Sequence, residues 1–262
     1  MVTRGIQNPT HSDRYRVAAK EFARRVTDAL GDRVDAIVLY GSAARGDAGP
    51  ESDIDILLVC DDIRRIRDAT SKIARDLDYE GGFTFLISAI AIERDELLKL
   101  RRLGSPFVRN VLRDGHILYD NDTFAGIPDM TNGPSQEYIA RQLESADEAL
   151  DDAEYLLQGG RYKATANRAY YAMFHAAMAA LMQSDGDLPR THGGVTNQFG
   201  LYYVRTGIID PELAETLQDT YELRRQSDYE LFVSFTEDEI RQAVQNSRAF
   251  VSAIRSALDL SR

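Results

Sequence analysis

The chain has 262 residues, 44% hydrophobic, 28% charged and 9% aromatic, with 31 Lys and Arg against 42 Asp and Glu and a net charge of −11. These proportions describe a globular protein long enough for one large domain or two of ordinary size. A single cysteine, Cys60, excludes an internal disulfide and a thiolate zinc site, so the fold rests on burial and suits a reducing cytoplasm.

The first twenty residues contain no apolar run that could serve as a signal peptide. The longest uncharged stretch, Ala169 to Ser184, is shorter than the roughly 20 residues that cross a bilayer. The expectation is a cytoplasmic protein without a membrane partner.

Taken in order, Tyr15, Ala19, Phe22, Val26 and Ala29 recur at helical spacing, and Gly31 ends that helix. An apolar run follows from Val34 to Tyr40, closed by Gly41, and after a small, polar loop a second run spans Ile54 to Cys60. Asp61 is placed to cap a helix running to about Asp78, Phe83 to Ile92 reads as a third strand, and His116 to Tyr119 is strand-like. Buried runs separated by helices predict a mixed α/β domain over residues 1–125. Residues Asn121 to Ser135 carry two Pro, two Gly and several Asn, Asp and Thr, a composition that predicts a linker.

The second domain, 135–262, shows no strand-like alternation. Ile139, Leu143, Ala146, Leu150, Ala153 and Leu157 form one helical stripe ended by Gly159-Gly160. The helix from about Tyr162 to Gln183 is apolar on most faces and belongs at the centre of a bundle, with a homodimer contact through it as a further expectation. Asp210-Pro211 is an N-cap with proline at the first helical position. Thr236 and Glu239 form a capping box, and the helix they open carries Ile240, Val244, Ser247, Val251, Ile254 and Leu258 on one stripe. The reading is an all-α bundle of four or five helices.

The stretch with chemistry in it is VLYGSAARGDAGPESDIDILLV, residues 38–59. Gly41-Ser42 ends one buried strand and Asp53 and Asp55 open the next, where period-two geometry puts both carboxylates on one face. Mg²⁺ prefers such carboxylates together with substrate phosphates to an all-protein cage. Gly41 allows backbone to approach a phosphate, and Ser42 offers a hydroxyl and an amide. The pattern supports in-line nucleotidyl transfer assisted by metal ions.

This stretch resembles the motif of the minimal nucleotidyltransferases of the DNA polymerase β superfamily, in which Gly-Ser is followed after ten residues by Asp-x-Asp. The resemblance implies an α/β nucleotidyltransferase domain in which Asp53 and Asp55 hold Mg²⁺. It also implies that Gly41, Ser42, Arg45 and Ser52 serve a nucleoside triphosphate such as ATP. Active members usually carry a third carboxylate on the neighbouring strand. The corresponding run, Gly82 to Ile92, holds no acid, only Thr84 and Ser88 as polar residues, with Asp78, Glu80 and Glu93 flanking it.

Three segments of the helical half, Ala164–Ala177, Thr191–Val195 and Leu223–Tyr229, resemble a HEPN domain, an all-helical bundle often paired with minimal nucleotidyltransferases, including as toxin–antitoxin pairs. Many HEPN ribonucleases use Arg, four to six residues, then His. Here Arg224 or Arg225 is followed by Tyr229, whose ordinary pKa near 10 does not suit a near-neutral base. Arg168 and His175 satisfy a similar spacing, but His175 lies in the most apolar helix and reads as a core histidine. His192 reads as a helix-start or loop residue. The acidic excess lies mostly after residue 130, and Lys163 is the one lysine there, so RNA is not the expected partner. The combined expectation is Mg²⁺-dependent transfer of AMP from ATP to a hydroxyl on a protein or small-molecule acceptor, with a HEPN-type ribonuclease toxin and a catalytically silent nucleotide-binding module as the alternatives. The resemblance implies Tyr229 as one candidate acceptor and a small polyhydroxylated molecule as another.

Overall fold

The computed structural model describes residues 10–127, 133–184, 188–189 and 191–260. The chain divides into two compact units, residues 1–132 and 133–262. Residues 128–132 of the predicted linker lie outside the described residues, and Phe124 and Ile127, also inside that prediction, are buried in the core of the first unit.

In the first unit, helix α1 (His11–Leu30) is opened by a capping box in which Thr10 and Asp13 exchange hydrogen bonds, and it stops at Gly31 with φ +51°. Its buried stripe ends on Leu30 rather than Ala29, four residues beyond Val26. Strand β1 (Val34–Leu39), short helix α2 (Gly41–Arg45), strand β2 (Ile54–Cys60), α3 (Ile63–Glu80), β3 (Ile87–Glu93), α4 (Arg94–Arg102), α5 (Pro106–Asp114) and β4 (His116–Asp120) follow. The cap of α3 is Asp62, whose carboxylate accepts from Arg64 N, rather than the predicted Asp61. The third strand begins four residues later than predicted. Gly81 and Gly82 carry the chain into a turn, Phe83 adopts φ +56°, and Phe83 and Leu86 stay exposed.

The four strands lie in the order β3-β2-β1-β4, with β2 and β3 parallel and the other neighbours antiparallel. Alternation along the central strands divides their side chains between two layers. Ile37, Leu39, Ile54, Ile56 and Leu58 pack under α1 and α3. Ala36, Val38, Leu57 and Val59 face the layer of Leu97, Val108 and Val111 from α4 and α5. Asp55 shares the second face by the same alternation, beyond the reach of the apolar residues that cover Leu57.

The second unit contains five α-helices among the described residues: α6 (Gln136–Gln158), α7 (Tyr162–Gln183), α8 (His192–Phe199), α9 (Pro211–Tyr229) and α10 (Glu237–Leu260). Helix α7 packs against each of the other four. Its alanines from Ala166 to Ala180, with Tyr170, Met173 and Leu181, are buried in the core of the bundle. The predicted stripe on α10, from Ile240 to Leu258, is buried throughout, including Ser247, whose hydroxyl donates to Ala243 O. Asp210 and the Thr236–Glu239 box cap their helices as predicted. Among the described residues no helix is long and apolar enough to cross a membrane.

Candidate active site

The site is built where β1 and β2 run side by side. Tyr40 N donates to Asp55 O at 3.0 Å, which fixes the end of one strand against the start of the other. The chain then turns through Gly41 at φ +70°, a conformation that costs an L-residue roughly 1–2 kcal/mol. Glycine is required there for a second reason: a Cβ on Gly41 would lie 2.1 Å from Asp55 Oδ2 and 3.0 Å from its Cγ. The Gly-Ser bend and the second aspartate of the motif are therefore in direct contact.

Electrostatics tie the remaining motif residues to this point. Burial pushes the Asp55 carboxyl up from the ordinary aspartate range, the charge of Asp53 adds to the rise, and Arg45 opposes it. Asp53 and Asp55 thus repel one another across a half-buried site, a strain on the ionised pair that a bound cation would relieve. Arg45 lies with Nε 3.3 Å from Asp47 Oδ2. Ser52 closes a turn, its hydroxyl accepting from Gly49 N at 3.0 Å. Tyr40 is half-buried, edge-on to Phe107, and its hydroxyl is pushed up to about 12 by burial and by the Asp55 charge.

The parallel pairing of β2 and β3 sets Asp55 opposite Ser88, so the neighbouring strand offers a hydroxyl at that position. Of the three acids flanking β3, Glu93 lies at the far end, opposite Cys60, and Glu80 is held by Arg25 through two hydrogen bonds of 2.8 and 2.7 Å. Asp78 is the one near the site. It is buried, its Oδ1 accepts from Ile87 N at 3.0 Å, and burial, together with the charge of Asp53, raises its pKa. Among the described residues no group of three or more His, Cys, Asp or Glu gathers as a metal site.

In the helical unit, His175 is largely buried and its Nδ1 pairs with Gln142 Oε1 at 3.0 Å; burial first, then Arg168, pushes its pKa down. The Arg168 guanidinium sits 4.9 Å from the centre of the Tyr171 ring. Arg224 lies 3.0 Å from Asp228 and Arg225 2.9 Å from Glu222, so each of these two arginines is paired with an acid on its own helix. Tyr229 ends α9 and is 76% exposed rather than packed under α10. His192 opens α8, as the sequence suggests, but its environment is not legible there. Its Nδ1 is 2.7 Å from the hydroxyl of buried Tyr170, and its ring lies among Tyr171, Phe174 and Tyr221 from two other helices.

A mixed sheet covered by helices on both faces, with a Gly-Ser bend against paired aspartates, defines a nucleotidyltransferase unit, here followed by a helical bundle. Residues 26–124 match the family described as "Polymerase beta, Nucleotidyltransferase" and residues 139–257 the family described as "HEPN domain". A Methanocaldococcus jannaschii protein named as a candidate toxin, MJ0605, is 34% identical over 129 residues, covering 49% of this chain and 95% of its own length. A second protein of that organism, named as a candidate protein adenylyltransferase, MJ0604, is 38% identical over 103 residues, covering 39% of this chain and 95% of its own. The spectinomycin adenyltransferase of Enterococcus faecialis, solved with ATP and spectinomycin, aligns over 91% of this chain and 99% of its own with a TM-score of 0.47 and 12% identity. The chain belongs to the polymerase β nucleotidyltransferase family through its first unit and to the HEPN family through its second, and it is an enzyme of the nucleotidyltransferase kind.

Proposed function

We propose that the chain is a Mg²⁺-dependent adenylyltransferase that moves AMP from ATP to a hydroxyl of a protein or small-molecule acceptor. The observation that carries this reading is the contact of Gly41 with the Asp55 carboxylate, which joins a phosphate-gripping bend to a pair of acids. Two carboxylates without a third fit a hard cation that takes its remaining ligands from phosphates and water. Asp53 and Asp55 would hold it, and when bound it supplies neutralisation of charge on the triphosphate.

The chain's own residues do the rest. Gly41 leaves room for phosphate to approach the backbone, Ser42 offers its hydroxyl and amide, and Arg45 exchanges its contact with Asp47 for phosphate. Ser52 keeps the Gly49–Ser52 turn closed beside them. Tyr40, which stays protonated at neutral pH, keeps a hydroxyl rather than a second negative charge near Asp55. In the transfer the acceptor oxygen bonds to the α-phosphorus, the bond from that phosphorus to pyrophosphate breaks, and the acceptor proton leaves to water.

Two relatives that are each 95% covered by half of this chain or less are named as a candidate toxin and a candidate protein adenylyltransferase. That supports a protein acceptor, and exposed Tyr229 offers the first hydroxyl to test. Incubation with labelled ATP, GTP, CTP and UTP plus Mg²⁺ tests the reading. Label from ATP should reach the acceptor with wild type and be lost with Asp53→Ala/Asp55→Ala; label that survives the double substitution refutes the mechanism.

A further inference from the structure

The loop that joins the two halves of the motif is held from outside itself. Helix α2 ends after five residues, and Gly46 leaves it at φ +89°. Gly46 N and Asp47 N both donate to Ser42 O, and Ala48 N donates to Ser12 Oγ at 3.2 Å. The carbonyls of Ala43 and Ala44, on residues 0% and 2% exposed, are thereby left without a backbone donor from the following turn. A buried carbonyl in that position needs a partner. Arg16 supplies it, Nε donating to Ala43 O at 3.1 Å and Nη2 to Ala44 O at 2.7 Å. The residue before it, Tyr15, has its hydroxyl 3.1 Å from both Gly49 O and Pro50 O.

Ser12, Tyr15 and Arg16 stand at i, i+3 and i+4 of α1, so one helix face reaches residues 43, 44, 48, 49 and 50. Each of these contacts fixes backbone between Gly41-Ser42 and Asp53-x-Asp55. All three residues lie before residue 26, where the match to the nucleotidyltransferase family begins.

We propose that Arg16, with Tyr15 and Ser12, is a positioning residue of the nucleotide site. It holds the Gly41–Arg45 segment so that the bend stays against Asp55, and thereby sets the affinity for the triphosphate. The assignment rests on the nucleotide reading of Gly41, Ser42, Asp53 and Asp55 given above.

The test uses the full chain with Arg16→Met, which keeps an apolar stem, Arg16→Lys, which restores one donor group, and Tyr15→Phe, which keeps the ring. Three quantities are read: the Kd for the Mg²⁺ complex of a non-hydrolysable ATP analogue, the amide exchange rates of residues 42–48, and the urea midpoint. Arg16→Met should weaken analogue binding by about tenfold or more and speed exchange at 43–48 while the chain remains folded. Arg16→Lys should recover part of the affinity, and Tyr15→Phe should speed exchange at 49–52. A lowered urea midpoint with unchanged analogue Kd in the folded protein makes the contact a matter of stability alone and overturns the proposal, as does wild-type exchange in Arg16→Met. Wild-type protein that does not bind the analogue removes the nucleotide reading and the positioning role with it, and the exchange rates then report separately whether the loop is held.

Discussion

Replacing Gly41 with alanine separates the two reasons for glycine at that point. The φ of +70° alone costs an alanine roughly 1–2 kcal/mol. The new Cβ would also lie 2.1 Å from Asp55 Oδ2, so the Asp55 side chain must leave its place. Turning a side chain off its rotamer costs about 0.5–1.5 kcal/mol, which brings the total to about 1.5–3.5 kcal/mol. Gly82→Ala is the matched control, since Gly82 has φ +61° and nothing within 4 Å of an added Cβ. It should lose about 1–2 kcal/mol in urea unfolding and keep its activity. Gly41→Ala should lose slightly more stability and, with Asp55 displaced, lower labelled-nucleotide transfer by about 100-fold or more, a larger loss than the roughly 10–100-fold that removing an outer-shell partner causes. Equal activity in the two variants would refute the claim that Gly41 is there to admit the Asp55 carboxylate.

Four further outcomes follow from the same geometry. Asp55 and Asp78 both have raised pKa values from burial, so their contribution to folding is fully present below the ordinary aspartate range and lost as pH rises through the raised values. Measured against Asp55→Asn, metal-free wild type should therefore lose relative stability across that window, and Mg²⁺ should stabilise wild type more at pH 7 than at pH 4 in thermal melts. Ser88→Asp places a third carboxylate opposite Asp55 and should tighten Mg²⁺ binding in calorimetry while lowering the metal-free melting temperature; unchanged Mg²⁺ affinity would mean the two positions do not share a site. Arg94 and Asn121 both hydrogen-bond the carboxylate of Asp35, which is 2% exposed, and Arg94→Met leaves that charge short of a partner. With Arg94 itself partly exposed, the expected loss is about 2–3 kcal/mol in urea unfolding, below the full cost of breaking a buried pair. Intact-mass spectrometry after incubation with ATP and Mg²⁺ should show one added AMP in wild type and none in Tyr229→Phe; equal labelling of both excludes that tyrosine as acceptor.

The parts of the fold set by neighbours in sequence were legible. Strand β2 has the predicted bounds because its apolar run is buried on both faces, and Asp210 and Thr236 act within three residues of themselves. The start of β3 was not legible, because Phe83 and Leu86 look like strand residues but follow a glycine pair that turns the chain. Within the site, the Gly-Ser bend and both aspartates could be read from their spacing. The anchoring of their loop could not, since Arg16 and Tyr15 bond to backbone carbonyls 27–35 positions away and any residue types could have supplied those carbonyls. His192 is similar: its partners Tyr170 and Tyr221 come from α7 and α9, and only the bundle brings them together.

The most direct measurement is a crystal of the full chain grown with Mn²⁺ and a non-hydrolysable ATP analogue, read by anomalous scattering. The account predicts a manganese peak between the carboxylates of Asp53 and Asp55, with the triphosphate lying along Gly41 and Ser42. Manganese and nucleotide bound elsewhere, with those two side chains empty, would contradict it.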